Sequence, residues 1–178
     1  ERWKKEKRYP QLAPGLLGFN IASLQKATVT PDKSVANQSS IAFIGTYGGK
    51  SCLFAGDATS DNLLLAIDPL LKKTKKEKLK VDIWKLAHHG SKKSNLVSLM
   101  EKVDTQHMMV SSDGSRYHHP DPECIAKLIG ANEGGLHFYF NYRSKDNEGW
   151  DDTKLKKKHA YTTHYPADGD GITVVLKP

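Results

Sequence analysis

The hydrophobic period changes at Ser60, and no single class of secondary structure accommodates both sides of that change. Ser40 to Tyr47 (SIAFIGTY) and Ser51 to Ala55 (SCLFA) are short apolar, partly β-branched runs flanking Gly48-Gly49, the pattern of a hairpin. Asp61 to Leu71 instead carries Leu63, Leu64, Leu65, Ile67, Leu70 and Leu71 at helix-compatible intervals, with Ser60 or Asp61 as N-cap. The alternation recurs downstream. Val81 to Ala87 and His107 to Ser111 read as strands, Ser94 to Val103 as a helix, and Pro122 to Leu128 as a helix opened by Asp121 and Pro122. Leu136 to Tyr142, Ile172 to Leu176 and the short run Leu17 to Leu24 complete the expected strands, and Thr28 to Asn37 reads as a loop. Strands alternating with helices and a hairpin define an α/β or αββα arrangement.

The chain has 178 residues, the length of one domain or of about half of a larger α/β enzyme. Residues 1–16 are basic and broken by Pro10 and Pro14, so they read as an arm or connector ahead of a unit spanning 17–178. Between 143 and 169 the pattern is lost to polar, charged and Gly/Pro-punctuated sequence, read as a long loop or insertion. No apolar run reaches the roughly eighteen residues of a bilayer crossing, and the basic start leads into no secretory apolar region. The expectation is a cytoplasmic protein with no membrane partner. Cys52 and Cys124 have neither metal-binding nor disulfide-scaffold spacing and read as thiols. The formal net charge of +7 favours an anionic partner, nucleic acid among them. Six lysines between Lys72 and Lys80 read either as a solvated helix end or as a phosphate-binding patch.

Three segments carry residue types suited to chemistry. Phe54-Ala55-Gly56-Asp57-Ala58 ends a strand in Gly-Asp just before a helix, which projects a carboxylate into the crevice where α/β folds bind ligands; a turn or cap role is the plain alternative. Val81 to Ser91 (VDIWKLAHHGS) runs a strand into His88, His89, Gly90 and Ser91, and neutral imidazoles at a strand mouth suit Zn²⁺, Mn²⁺ or Fe. Strand alternation puts His88 on the face of Asp82, Trp84 and Leu86, which favours His88 over His89 as a ligand unless the strand has already ended. Val110 to Glu123 (VSSDGSRYHHPDPE) places His118 and His119 before a helix start, where a histidine can face a phosphate or simply order the loop.

In order, Asn37-Gln38-Ser39-Ser40, Gly48-Gly49, Leu53-Phe54-Ala55-Gly56-Asp57, His88-His89-Gly90-Ser91, Ser111-Ser112-Asp113 and His119-Pro120 resemble the metallo-β-lactamase superfamily. The nearest branch is that of the ComEC nuclease-like domain and related bacterial hydrolases. The resemblance covers about residues 17 to 140 and implies an αββα sandwich with two divalent metals, Zn²⁺ before Mn²⁺ or Fe, at one edge. The HxHxDH motif of the family's N-terminal half is absent, so this chain looks like the C-terminal half only. The missing half is then expected in the same gene, on a partner chain, or not at all.

By that resemblance Asp57 matches the metal-bridging carboxylate and His88 or His89 the late histidine ligand. His119 is expected near the substrate as a catalytic group, with Ser91 and His118 as substrate-binding residues. The implied activity is metal-dependent hydrolysis, with a phosphodiester as the leading substrate class and a lactone, thioester or amide as alternatives. A non-catalytic binding or assembly module of the same fold is the competing expectation, and a plain nucleic-acid-binding domain fits less well, because the lysines lack interleaved aromatics.

Overall fold

The computed structural model describes residues 20–168 and 171–176. The expected arm at 1–16, and residues 17–19 of the first expected strand, lie outside them. Within the described residues the elements are α1 (Ile21–Lys26), α2 (Val35–Gln38), β1 (Phe43–Tyr47), β2 (Lys50–Phe54), α3 (Ser60–Thr74), β3 (Leu79–Lys80), β4 (Ile83–Lys85), α4 (Val97–Met100), β5 (Val103–Asp104), β6 (His107–Val110), α5 (Pro122–Gly130), β7 (Leu136–Phe140), α6 (Thr153–His159) and β8 (Tyr161–His164). Six strands form one sheet in the order β1-β2-β4-β6-β7-β8, and β3 pairs with β5 in a parallel two-stranded ladder. Only the β1–β2 hairpin is antiparallel; every other pair in the large sheet is parallel. The class is therefore mixed α/β with a mostly parallel sheet flanked by helices.

Register explains where the core lies. Leu53, Trp84, Met108 and Phe138 form one row across β2, β4, β6 and β7, each at most 3% exposed. They join one apolar cluster with Leu63, Ile67 and Leu71 of α3, Leu99 and Met100 of α4, and five buried residues of α5. The row beside it, Phe43, Phe54, Lys85, Met109, Tyr139 and His164, spans all six strands, and each member keeps solvent exposure. Phe43 and Phe54 are 55% and 39% exposed although their rings stack at 5.0 Å. Among the described residues helices thus cover one face of the sheet and leave the other open.

Smaller expectations shift at boundaries: the expected loop 28–37 runs into α2, the expected helix 94–103 shortens to α4 with Val103 in β5, and Thr59, not Ser60 or Asp61, caps α3. Three more change outright. Residues 21–26 are helical, not extended: Asn20 caps Ser23 N–H at 3.0 Å, and Ile21 is buried in the core. The apolar run was too short for its period to tell helix from strand. The stretch 143–169 contains a 3-10 turn at Glu148–Asp151, then α6 and β8. Two aromatics anchor it: Trp150 is fully buried, and the Tyr161 hydroxyl donates to the Trp150 carbonyl at 2.9 Å. Its polar composition hid this, because β8 is an edge strand and α6 buries no residue fully. Among the described residues 171–176 there is no strand where one was expected at Ile172 to Leu176.

Candidate functional site

The candidate site lies at the carboxyl ends of the parallel strands, where ligands bind in open α/β sheets. After β2 the chain turns through Gly56, whose φ is +54°. A Cβ there would stand 2.7 Å from the Ile41 carbonyl oxygen, so only glycine fits. The Ser40 hydroxyl accepts from Asp57 N–H at 2.9 Å, and the Thr59 side chain caps α3. The next turn is tied to this one, since His88 N–H donates to the Gly56 carbonyl at 2.8 Å.

Strand β4 ends at Lys85, and His88, His89 and Gly90 follow with φ of 45°, 57° and 86°. Three successive left-handed residues are costly, and buried Asn95 holds them. Its amide oxygen accepts from Ala87 N–H at 3.1 Å, and its nitrogen donates to the carbonyls of Ala87 and Ser91 at 2.8 and 2.7 Å. The third loop locks on through Gly90, whose missing Cβ would lie 2.8 Å from that of Pro120. Asp121 N–H donates to the Gly90 carbonyl at 3.1 Å, and the Asp121 carboxylate accepts from Lys92 N–H at 2.8 Å. The peptide between His119 and Pro120 is cis.

This scaffold brings three predicted histidines together. The His88 ring centroid is 5.4 Å from that of His119 and 6.1 Å from that of His89, and Tyr117 stacks on His119 at 6.2 Å. Because His88 and His89 lie beyond the strand, alternation no longer separates them. Their hydrogen bonds do. His89 Nδ1 donates to the Ser111 carbonyl, which can only accept, so a neutral His89 carries its lone pair on Nε2. His88 Nδ1 accepts from the Asn37 amide at 3.2 Å, and the same amide donates to Asp32 at 2.5 Å. A neutral His88 therefore carries its hydrogen on Nε2. Burial would raise the Asp32 carboxyl, but bonds from Ser34 and Asn37 hold it below its ordinary value.

His119 is strongly perturbed. Burial, followed by its neighbours His88 and His89, pushes its pKa down to about 4, with Asp57 opposing. Its side chain is 12% exposed, and Nδ1, 3.6 Å from the Asp121 carboxylate, has no hydrogen-bond partner. A buried imidazole kept neutral with an unpartnered nitrogen is a group awaiting a ligand or a proton. Asp57 is electrostatically coupled to His119 and to Lys85, whose ammonium burial pushes below its ordinary value.

The other two predicted residues stand apart. Ser91 is 4% exposed, and its hydroxyl accepts from Lys93 N–H at 3.3 Å, which is a loop-building role. The His118 side chain is 66% exposed and faces the Asp146 carboxylate at 3.6 Å. Sequence reading singled out neither Asn95 nor Asp32 nor Tyr117. Only the polar loop carrying Pro31 and Asp32 offered a signal.

As for metals, no three His, Cys, Asp or Glu side chains converge closely enough among the described residues to hold an ion. The donor types suit a mixed N/O site, yet the described residues by themselves do not form a closed one. No protein-family model, curated protein or solved structure matches the chain. No helix among the described residues is long and apolar enough to cross a membrane.

Proposed function

We propose that this chain is the C-terminal half of an αββα sandwich of metallo-β-lactamase type, and that the complete protein is a metal-dependent hydrolase of phosphodiesters. The observation that carries the reading is the gathering of His88, His89 and His119 at the carboxyl edge of a parallel sheet, with Asp57 on the adjoining turn and a buried His119 nitrogen left unpartnered. The open face of the sheet supports the reading of a half, since its exposed row runs unbroken across six strands and suits packing against a second sheet.

Two divalent ions, Zn²⁺ before Mn²⁺ or Fe, would supply Lewis acidity and an activated water in the complete site. From this chain, the Asp57 carboxylate and His89 Nε2 are the donors best disposed to face them. His119, kept neutral by burial, is disposed to accept or return a proton at the substrate. The remaining ligands belong to residues beyond those described.

The test is expression of the whole gene, or of this chain with the polypeptide that completes the sheet, followed by metal analysis and assays on bis-p-nitrophenyl phosphate, DNA, RNA and a lactone. Stoichiometric metal with phosphodiester turnover is the expected result. Metal with lactone turnover alone would move the substrate class. The absence of a converged ligand triad favours a second reading, a non-catalytic module of the same fold. That reading predicts neither bound metal nor turnover in the complete protein.

A further inference from the structure

We propose that the groove at the carboxyl end of α3 binds the phosphate backbone of a nucleic acid, at a site separate from the sheet edge. The groove has a volume of about 550 Å³ and is lined by Lys72, Lys75, Lys76 and Lys102, with Leu71, Asp68 and Glu77. Among the described residues none of the four lysines forms an ion pair with a carboxylate. Four ammonium groups against the two carboxylates of Asp68 and Glu77 leave the concavity net positive, and a polyanion neutralises that excess while releasing its own counterions. A concave, lysine-lined groove fits a sugar–phosphate strand better than the flat surface of a bilayer.

Lys75 adds an independent observation. It ends α3 in the left-handed conformation, with φ of 53°, the position where glycine is the usual residue. Its N–H donates to the Lys72 carbonyl at 3.3 Å, and Lys76 N–H donates to the Leu71 carbonyl at 3.1 Å, which completes the cap. Here the chain keeps a charged side chain at a conformational cost that glycine would avoid.

Helix α3 has 15 residues and starts three residues after Asp57, so its far end stands about 20 Å from the candidate site. Substitutions in the groove therefore change binding without touching the histidines. The inference rests on the phosphodiester reading above for its choice of anion.

The experiment measures fluorescence anisotropy of labelled single- and double-stranded DNA and RNA 20-mers against the full chain, in EDTA, between 50 and 200 mM salt. The combined Lys72→Gln, Lys75→Gly, Lys76→Gln and Lys102→Gln variant is expected to weaken binding at least tenfold and to flatten the slope of log K against log[salt] by about 3. A variant with Lys145, Lys154, Lys157 and Lys158 changed to Gln matches its charge and should lose less than threefold. Lys75→Gly alone should bind more weakly while melting no lower than the parent. Unchanged affinity and slope, equal losses in both charge-matched variants, or lysine-dependent binding to phosphatidylserine vesicles without nucleic-acid binding would each overturn the proposal. Because EDTA removes metal, binding is read apart from hydrolysis; lysine-dependent binding together with no turnover by the complete, metal-supplied protein supports the groove and overturns the hydrolase reading alone.

Discussion

Two groups of histidines occupy this protein, and they are built in opposite ways. His88, His89 and His119 sit in loops at the sheet edge, on left-handed or tightly braced backbone, and the Nδ1 of His119 is left without a partner. His107, His137 and His164 sit on β6, β7 and β8, in regular strand geometry on the open face, and bond to one another and to Tyr139 and Thr162. His137 Nδ1 is 3.2 Å from His164 Nε2 and 2.8 Å from the Thr162 hydroxyl, while His107 Nδ1 lies 3.0 Å from the Tyr139 hydroxyl. The rings of His107 and His137 stack at 4.9 Å, and those of Tyr139 and His164 at 4.4 Å. Residue type alone therefore assigns nothing. A histidine bonded within a regular ladder points to a structural role, whereas a buried one with an unpartnered nitrogen, set beside two histidines on costly backbone, is the candidate for chemistry.

The largest effect that separates the groups is on turnover. In the complete protein Asp57→Asn is expected to lower kcat/KM on bis-p-nitrophenyl phosphate by roughly 10³-fold or more, the equivalent of several kcal/mol. His119→Ala, compared at matched metal content, should lose about 10²-fold. His137→Ala in the ladder should stay within about twofold of the parent. If His137→Ala lost as much as His119→Ala, the contrast between edge and ladder would collapse.

Next in size is the brace that holds the edge. Gly90→Ala forces a Cβ into Pro120 at a φ of +86° and is expected to cost about 1–3 kcal/mol in urea unfolding. A similarly positive φ with open space around it, +77° at Gly49, should cost less on the same substitution. A null effect at Gly90 would show that the two loops are not locked together.

Smaller again is the anchor beneath β8. Burial alone would raise the Asp151 carboxyl, but hydrogen bonds from Lys156, Arg143 and Thr163 outweigh it and hold the group well below its ordinary value. The folded value lies below the unfolded one of 3.8, so the stabilisation is present above that pH and is lost as pH falls toward the folded value. Asp151→Asn should therefore cost about 1 kcal/mol at pH 7, after allowance for its partial exposure, and progressively less below pH 3.8. A penalty independent of pH would mean that packing, not charge, holds the edge strand.

The smallest effect is acid sensitivity of the ladder. Burial, then the neighbouring His137, holds both His107 and His164 below the ordinary histidine value of 6.5. Depressed values of this sign cost nothing above 6.5. As pH falls below it, the unfolded chain takes up protons that the ladder resists, and stability declines. His107→Gln with His164→Gln should flatten that decline between pH 6.5 and 5, which thermal melts would register. A steeper decline in the double variant would reverse the assignment.

Much of the arrangement was legible in residues 40 to 140 because local signals there are strong. The Gly48-Gly49 turn, the leucine spacing of α3, and Asp121-Pro122 before α5 each act within one or two turns of chain. The same holds for the placing of Asp57 and the paired histidines, since Gly-Asp or His-His shortly after an apolar strand marks the turn at its carboxyl end. Nothing local could show that Trp150 and Tyr161 reach into the core from a polar stretch, or that residues 21–26 coil against α5. Burial there is decided by elements distant in sequence.

Sequence by itself determined the α/β class, the hairpin, the two principal helices and the identity of the edge residues, because these follow from periodicity, turn chemistry and the positions where strands stop. Tertiary structure alone decided which histidines share a crevice, which nitrogen each leaves free, and that Ser91 is buried while His118 turns toward Asp146. Those outcomes depend on Asn95 bridging one loop and on Pro120 filling the space above Gly90. Contacts between loops from different strands exist only once the sheet has set their spacing, so no window of sequence contains them.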